Sequence, residues 1–329
     1  MIIHVRPDYY PLMRNFLSIE DVPDAAALVS KALAYKKEPF RDKQLGAGKT
    51  LGMLFLNPSL RTRVSTQVAA RNLGMEVIIF NIDKEGWQLE FVDGVVMNGK
   101  TTEHVKEAAA VLGQYFDILS VRTFPALKNK DEDYSEQVIG QFVRYAGVPV
   151  LSLESATLHP LQSLADLVTI QEIFGNQRRP KVVMTWAPHV RALPQAVPNS
   201  FAQWMVNWGK ADFVITHPEG YELDQKYTGN AVIEPDQDKA LDGADFVYVK
   251  NWSSVKEYGK ILTDDPSWMI TNGKLEQTNR AKVMHCLPVR RNLVIADEVL
   301  DGEHSVVVRQ AGNRVWAAQA VLSEMLSKT

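Results

Sequence analysis

The 329-residue chain has a single cysteine, Cys286. One thiol excludes an internal disulfide and any multi-cysteine metal cluster, and it suits a reducing compartment such as the cytoplasm. Neither sign of charge predominates: 36 Lys and Arg stand against 39 Asp and Glu, a formal net charge of −3, and the basic residues are dispersed. No nucleic-acid partner is expected from such a balance, and any anion site must be local. No apolar run approaches the roughly 20 residues that span a bilayer, so no membrane partner is expected either. The first residues, Met1-Ile2-Ile3-His4-Val5-Arg6-Pro7-Asp8, lack the apolar region and cleavage site of a secretory signal. The 7 histidines have no ligand spacing and no H-E-x-x-H is present, which argues against a metal site. No G-x-G-x-x-G follows a strand, and no G-x-S-x-G marks a hydrolase elbow. Gly46-Ala47-Gly48-Lys49-Thr50 imitates the end of a P-loop, but position 43 is Lys where that motif needs Gly. The segment also leads into a strand, whereas the motif must open a helix.

What is present is the composition of a globular protein, 46% hydrophobic and 23% charged, in a chain long enough for two domains. Residues 1–12 read as a polar extension bearing Pro and Tyr. Patterning then predicts helices at 22–35, 62–73, 102–113, 135–146, 160–174, 200–208, 236–241 and 313–327. Strands are predicted at 50–56, 76–81, 118–121, 150–153, 181–185, 212–216, 246–249 and 283–286. A loop carrying Gly86-Trp87 follows the second strand. Alternating strands and helices predict an α/β chain with doubly wound parallel sheets, helices on both faces, and a domain joint near 154–160.

Four constellations stand at strand ends. Asn57-Pro58-Ser59-Leu60-Arg61-Thr62-Arg63 joins a strand to a helix. Free backbone N–H groups, the Ser59 hydroxyl as an N-cap candidate, and guanidinium forks would converge there into an oxyanion cradle, most simply for phosphate. Arg61 and Arg63, two apart, do not share a helix face, so one should reach the ligand while the other braces the loop or a carboxylate. His159-Pro160-Leu161-Gln162 places Pro at a first helical position, with His159 at the helix start and Gln162 one turn on. That pair could hydrogen-bond a carbonyl and its amide neighbour together, or be a capping His beside a surface Gln. Arg122 stands at the carboxyl end of a strand, where open α/β sheets present ligand groups. His285-Cys286-Leu287-Pro288 ends another apolar strand and precedes Arg290 and Arg291, candidates for a substrate carboxylate. No triad context surrounds Cys286, which reads as a structural or pocket-lining thiol.

Taken in order, Ser-x-Arg-Thr-Arg, the strand-end Arg122, His-Pro-x-Gln and His-Cys-Leu-Pro resemble the aspartate/ornithine carbamoyltransferase family, from about Met13 onward. The Ser-Met-Gly loop of ordinary ornithine enzymes is not found. The segment from Trp186 to Pro198, Trp-Ala-Pro-His-Val-Arg-Ala-Leu-Pro-Gln-Ala-Val-Pro, instead resembles the branch acting on N-acylated ornithine, where it takes part in a backbone knot. The resemblance implies two doubly wound parallel-sheet domains, with carbamoyl phosphate bound by 1–156 plus the closing helix 312–329, and acylornithine bound by 157–311. It implies a homotrimer with sites at subunit interfaces. It implies that Ser59, Leu60 N–H, Arg61, Thr62 and a neighbour's Trp87 hold phosphate, and that Arg122, His159 and Thr62 polarise the carbamoyl oxygen. Gln162 would orient the carbamoyl NH₂ and Arg314 would reach it from the closing helix. Cys286 and Leu287 would meet the attacking amine, and Glu154, Lys250 and Arg290 the α-substituents of the acceptor. Carbamoyl phosphate is already activated, so no cofactor is implied. Acetylornithine enzymes are expected to carry a glutamate where this chain has Thr102, and a carboxylatable lysine where it has Val294. Both departures favour N-succinyl-L-ornithine over N-acetyl-L-ornithine, since the missing carboxylate would repel a succinyl tail.

Overall fold

The computed structural model describes residues 13–176 and 178–327. The extension read at 1–12 lies outside the described residues. Short apolar runs bounded by turns become the strands of two sheets. The first holds β1 (Thr50–Phe55), β2 (Glu76–Asn81), β3 (Ile118–Arg122) and β4 (Val150–Glu154), in the order β2-β1-β3-β4. The second holds β5 (Lys181–Trp186), β6 (Asp212–Thr216), β7 (Val232–Ile233), β8 (Phe246–Lys250) and β9 (Lys282–Met284), in the order β9-β8-β5-β6-β7. Every ladder in both is parallel. Strands β3, β4 and β8 are buried at every position, as strands covered on both faces must be, which is why they read as continuous apolar runs. In each sheet the chain runs outward in one direction, returns, and continues in the other. The reversals fall between β1 and β3 and between β5 and β8, and open α/β sheets bind ligands at such points, beyond the carboxyl ends of the strands.

Seven longer helices cover the sheets: α1 (Ala25–Lys37), α2 (Arg61–Asn72), α3 (Val105–Tyr115), α4 (Gln137–Tyr145), α5 (Pro160–Phe174), α6 (Ala196–Trp208) and α7 (Val307–Leu326). Asp24 caps α1 by accepting the Ala27 N–H at 2.9 Å, and Lys36 and Lys37 complement its carboxyl end. Helix α5 is buried continuously from Pro160 to Ile170, because it runs between the two halves of the molecule. Helix α7 packs on α2, α5 and α1, which carries the end of the chain back to the first sheet. No described helix is long and apolar enough to cross a membrane.

Most boundaries differ from the sequence reading by one to six residues, and three of the differences bear on the site. Helix α7 starts at Val307 rather than 313; Gln310, read as lying before the helix, is buried with its side chain on the His285 N–H and on Asp166 Oδ1. Helix α6 starts at Ala196 rather than 200, since Pro198 falls in the first turn, where its missing N–H breaks no helical bond. The last strand ends at Met284 rather than 286, because the His285 N–H goes to Gln310 Oε1 at 2.8 Å and not to a neighbouring strand.

The tightest helix-to-loop approach is at Gly113 in α3, where a Cβ would sit 1.7 Å from the Ala146 carbonyl oxygen. Gly113→Ala is therefore expected to destabilise the fold by about 1–3 kcal/mol, the usual range for overpacking. Urea unfolding with an unchanged slope would measure it, and a wild-type midpoint would refute it.

Candidate active site

The carboxyl ends of the strands in both sheets open onto one cavity of ≈ 420 Å³. Side chains after β1 (Ser59, Arg61, Thr62), at the ends of β3 and β4 (Arg122, Glu154) and at the start of α5 (His159, Gln162) form one wall. The opposite wall comes from the loop after β5, from Lys250 at the end of β8, and from Cys286 to Arg290 after β9, with Arg314 of α7 between them. Six cationic side chains, Arg61, Arg122, Arg191, Lys250, Arg290 and Arg314, face one carboxylate, Glu154. The net positive field suits an anionic ligand.

The segment from Asn57 to Arg63 joins β1 to α2 as expected, with a shifted cap. Helix α2 begins at Arg61, and its cap residue by backbone is Leu60, one later than expected. The Ser59 hydroxyl still accepts the Thr62 N–H, at 3.3 Å, so it satisfies one orphan donor of the first turn. Leu60 is 73% exposed and does not line the cavity, leaving its backbone as the only part that could serve a ligand there. Arg61 lines the cavity and Arg63 does not, as expected of residues two apart on a helix.

Arg122 is buried where β3 ends. One guanidinium nitrogen donates to the Asn57 carbonyl (3.1 Å) and the Pro58 carbonyl (2.5 Å), which fixes the loop before α2. The other donates to Glu154 Oε2 at 2.8 Å. His159 Nε2 lies 3.6 Å from the same oxygen. Burial raises the Glu154 acid, and the neighbouring Arg122 guanidinium opposes that rise. His159 is held well below the ordinary imidazole range, first by burial and then by the charges of Arg314 and Arg122, and it is therefore neutral at physiological pH.

Arg314 joins elements far apart in sequence. It donates to Gln162 Oε1 at 2.7 Å and to Thr62 Oγ1 at 2.5 Å. Burial lowers its pKa to about 10, so it stays charged at neutral pH. Arg61 Nε, Arg122 Nε, Arg314 Nε and His159 Nδ1 are all buried without a hydrogen-bond partner among the described residues. Leaving a buried donor unpaired typically costs about 1–3 kcal/mol, and three guanidinium donors among the residues lining one cavity suit an oxygen-rich ligand, while His159 Nδ1 donates or accepts according to its tautomer. The Cys286 thiol is pushed up by burial, which opposes thiolate formation and a nucleophilic role. The turn that carries it is set by His285 Nδ1, which accepts the Leu287 N–H at 2.9 Å and so supports Leu287 at φ 56.

Cys286, Leu287, Lys250, Glu154 and Arg290 all reach the cavity, whereas Trp87 and Thr102 do not. Those two lie together elsewhere: the Thr102 N–H donates to the Gln88 carbonyl at 3.0 Å, and the 53% exposed Trp87 bonds Glu103 through its indole N–H at 2.8 Å. Sequence reasoning missed His189 and Arg191, which line the cavity beside Arg290; Arg290 Nε donates to His189 Nε2 at 3.2 Å. The rule that singles out Arg122 also finds them, since they follow the carboxyl end of β5. The loop carrying them is tied to the stretch after β8, with Asn251 Nδ2 donating to the Ala187 carbonyl at 2.6 Å and the Ser253 N–H to the Leu193 carbonyl at 2.9 Å.

The carbamoyl-P binding domain profile of the aspartate/ornithine carbamoyltransferases matches residues 14–172, and their Asp/Orn binding domain profile matches 195–325. The chain belongs to the aspartate/ornithine carbamoyltransferase family. It is 50% identical over 316 residues to an N-succinylornithine carbamoyltransferase of Bacteroides fragilis (strain 638R), covering 95% of this chain and 99% of the relative. It is 33% identical over 340 residues to an N-acetylornithine carbamoyltransferase of Xanthomonas axonopodis pv. citri (strain 306), covering 96% and 97%. Among solved structures, a glutamate-to-alanine variant of N-acetyl-L-ornithine transcarbamylase, complexed with carbamyl phosphate and N-succinyl-L-norvaline, superposes with a TM-score of 0.88 at 32% identity. That match covers 95% of this chain and 99% of the other.

The electrostatics of this carbamoyltransferase cavity give a direct expectation. Because burial and two guanidinium groups oppose its protonation, the His159 ring should show no titration between pH 6 and 8 when followed by its NMR ring-proton shifts. An inflection near the ordinary histidine value of about 6.5 would contradict the neutral assignment.

Proposed function

We propose that the protein transfers the carbamoyl group of carbamoyl phosphate to the δ-amine of N-succinyl-L-ornithine, releasing N-succinyl-L-citrulline and phosphate, in arginine biosynthesis. The observation that carries this reading is the set of buried, unpartnered guanidinium donors on Arg61, Arg122 and Arg314, all on residues lining one cationic cavity beside the neutral His159. It is supported by the 50% identity to an N-succinylornithine carbamoyltransferase along nearly the whole chain.

In this proposal Ser59, the Leu60 N–H, Arg61 and Thr62 hold the phosphate, and Trp87 completes the seat from a neighbouring subunit. Arg122, His159 and Thr62 face the carbamoyl oxygen, where negative charge grows as the tetrahedral centre forms. Gln162 accepts a hydrogen bond from the carbamoyl NH₂, and Arg314 reaches the carbamoyl group from the closing helix. The δ-amine arrives past Cys286 and Leu287 and forms the new C–N bond. The bond from carbon to the phosphate oxygen breaks, and the departing phosphate takes the amine proton. Burial and the neighbouring guanidinium charges make His159 a weak base, so the neutral ring serves as a donor and competes little for that proton. Glu154, Lys250 and Arg290 receive the α-substituents of the acylated amino acid. The division of labour follows the two sheets, with 1–156 and 312–329 on the donor side and 157–311 on the acceptor side, in a cytoplasmic homotrimer.

Arg61→Ala is expected to lower kcat/KM for carbamoyl phosphate by at least about 100-fold, the usual scale for removing one pre-placed anion donor. A citrulline-product assay with N-succinyl- and N-acetyl-L-ornithine in parallel reads both the loss and the acceptor preference. Near-normal turnover by the variant would sink the cradle assignment. Thr102→Glu would place a carboxylate where it repels a succinyl tail from the neighbouring site, and is expected to shift preference toward N-acetyl-L-ornithine. An unchanged ratio of the two activities would remove the assignment of the acyl group.

A further inference from the structure

The proposed transfer makes no use of Asp166, yet this carboxyl is the node between the two walls of the cavity. It lies on α5 one turn beyond Gln162 and is 0% exposed. Its Oδ1 accepts from Gln162 Nε2 and from Gln310 Nε2, each at 2.7 Å. Gln310 in turn accepts the backbone N–H of His285, where the Cys286 turn begins. Gln162 Oε1 meanwhile accepts from the Arg314 guanidinium at 2.7 Å. These contacts assign the amide orientation of Gln162 without ambiguity. Flipping it would set its carbonyl against the carboxyl oxygen that accepts from Gln310, and its NH₂ against a guanidinium that can only donate. The oxygen of Gln162 is thus held on the side of Arg314, with one of its two lone pairs still unspent.

We propose that Asp166 is a positioning residue that fixes Gln162 as an acceptor and so makes the site selective for the NH₂ of carbamoyl phosphate over the CH₃ of its near-isostere, acetyl phosphate. The inference rests on the carbamoyl-transfer reading, with Gln162 facing the transferred group. A methyl group in that place would leave the amide oxygen desolvated and short of one partner. Burial pushes the Asp166 acid up to about 7, against the pull of the Gln310 and Gln162 amides, the Tyr248 hydroxyl and the Arg314 charge. A buried carboxyl kept in so unfavourable a setting fits a positioning task better than a stabilising one.

The experiment compares the binding of carbamoyl phosphate, acetyl phosphate and inorganic phosphate to the full chain by calorimetry, with kcat and KM alongside. Asp166→Leu should reduce the preference for carbamoyl over acetyl phosphate roughly 10- to 100-fold, the equivalent of one buried hydrogen bond, and leave inorganic phosphate binding unchanged. Asp166→Asn, whose Oδ1 can still accept both amides, should keep the preference. In a Gln162→Leu background, Asp166→Leu should change the preference no further. Should Asp166→Leu not fold, Asp166→Ser, too short to reach the Gln162 amide, is read the same way. A wild-type preference in the Leu or Ser variant, an equal loss for inorganic phosphate, or an Asn variant as impaired as Leu would each overturn the assignment. Absence of carbamoyl transfer in the wild-type chain would overturn the underlying reading instead, so the two failures are separable.

Discussion

The site depends on one buried guanidinium. Arg314 bridges Thr62 on α2 and Gln162 on α5, residues that stand 252 and 152 positions away in the chain. A charged side chain is taken out of water here to hold three helices in a fixed relation, which is costly unless its hydrogen bonds are well made. Helix α7 can deliver it only by returning across α1, α2 and α5, and its polar residues are buried to that end. Asn72 donates to Gln319 at 3.0 Å and Asn313 to Thr169 at 2.9 Å, so the helix is registered by hydrogen bonds as well as by its apolar face.

Around that anchor the donors are pre-placed. Arg122 is pinned by the Asn57 and Pro58 carbonyls and by Glu154, so it cannot swing away from the end of β3. His159 is kept neutral by burial and by the positive charges that surround it. An anion meeting these groups finds them already oriented, and little reorganisation remains for the reaction itself. The single acid, Glu154, sits between Arg122 and His159, so part of the positive field is neutralised where those two donors stand, and less of it where Lys250, Arg191 and Arg290 line the cavity.

Much of this is legible in the sequence. The strands appear where apolar runs stop at turn residues, and β2, β6 and α5 match the sequence pattern at both ends. The Ser59–Arg63, Arg122, His159–Gln162 and His285–Pro288 constellations lie at strand ends or helix starts, and one or more residues of each reach the same cavity. Helix α7 begins six residues before its sequence pattern does, because Gln310 looks like a solvent-facing residue until its buried partners are known. His189 and Arg191 escape notice because a proline-rich loop carries no periodicity to mark what it presents. Asp166 is hidden for another reason: an acid one turn beyond Gln162, on a helix with several other polar residues, carries no local mark of its burial.

The sequence by itself determined the two parallel sheets, the residue types brought to the turn after β1 and the family to which the chain belongs. Each is written in local pattern: period, turn chemistry, and residue types at fixed spacing. Only the tertiary structure decided which of the many arginines share a cavity, which way the Gln162 amide points, and that His159 is neutral. Those properties depend on groups brought together from distant parts of the chain and on their removal from water. Trp87 and Thr102 mark the edge of what one chain decides, since both lie outside its cavity and their proposed roles require a neighbouring subunit.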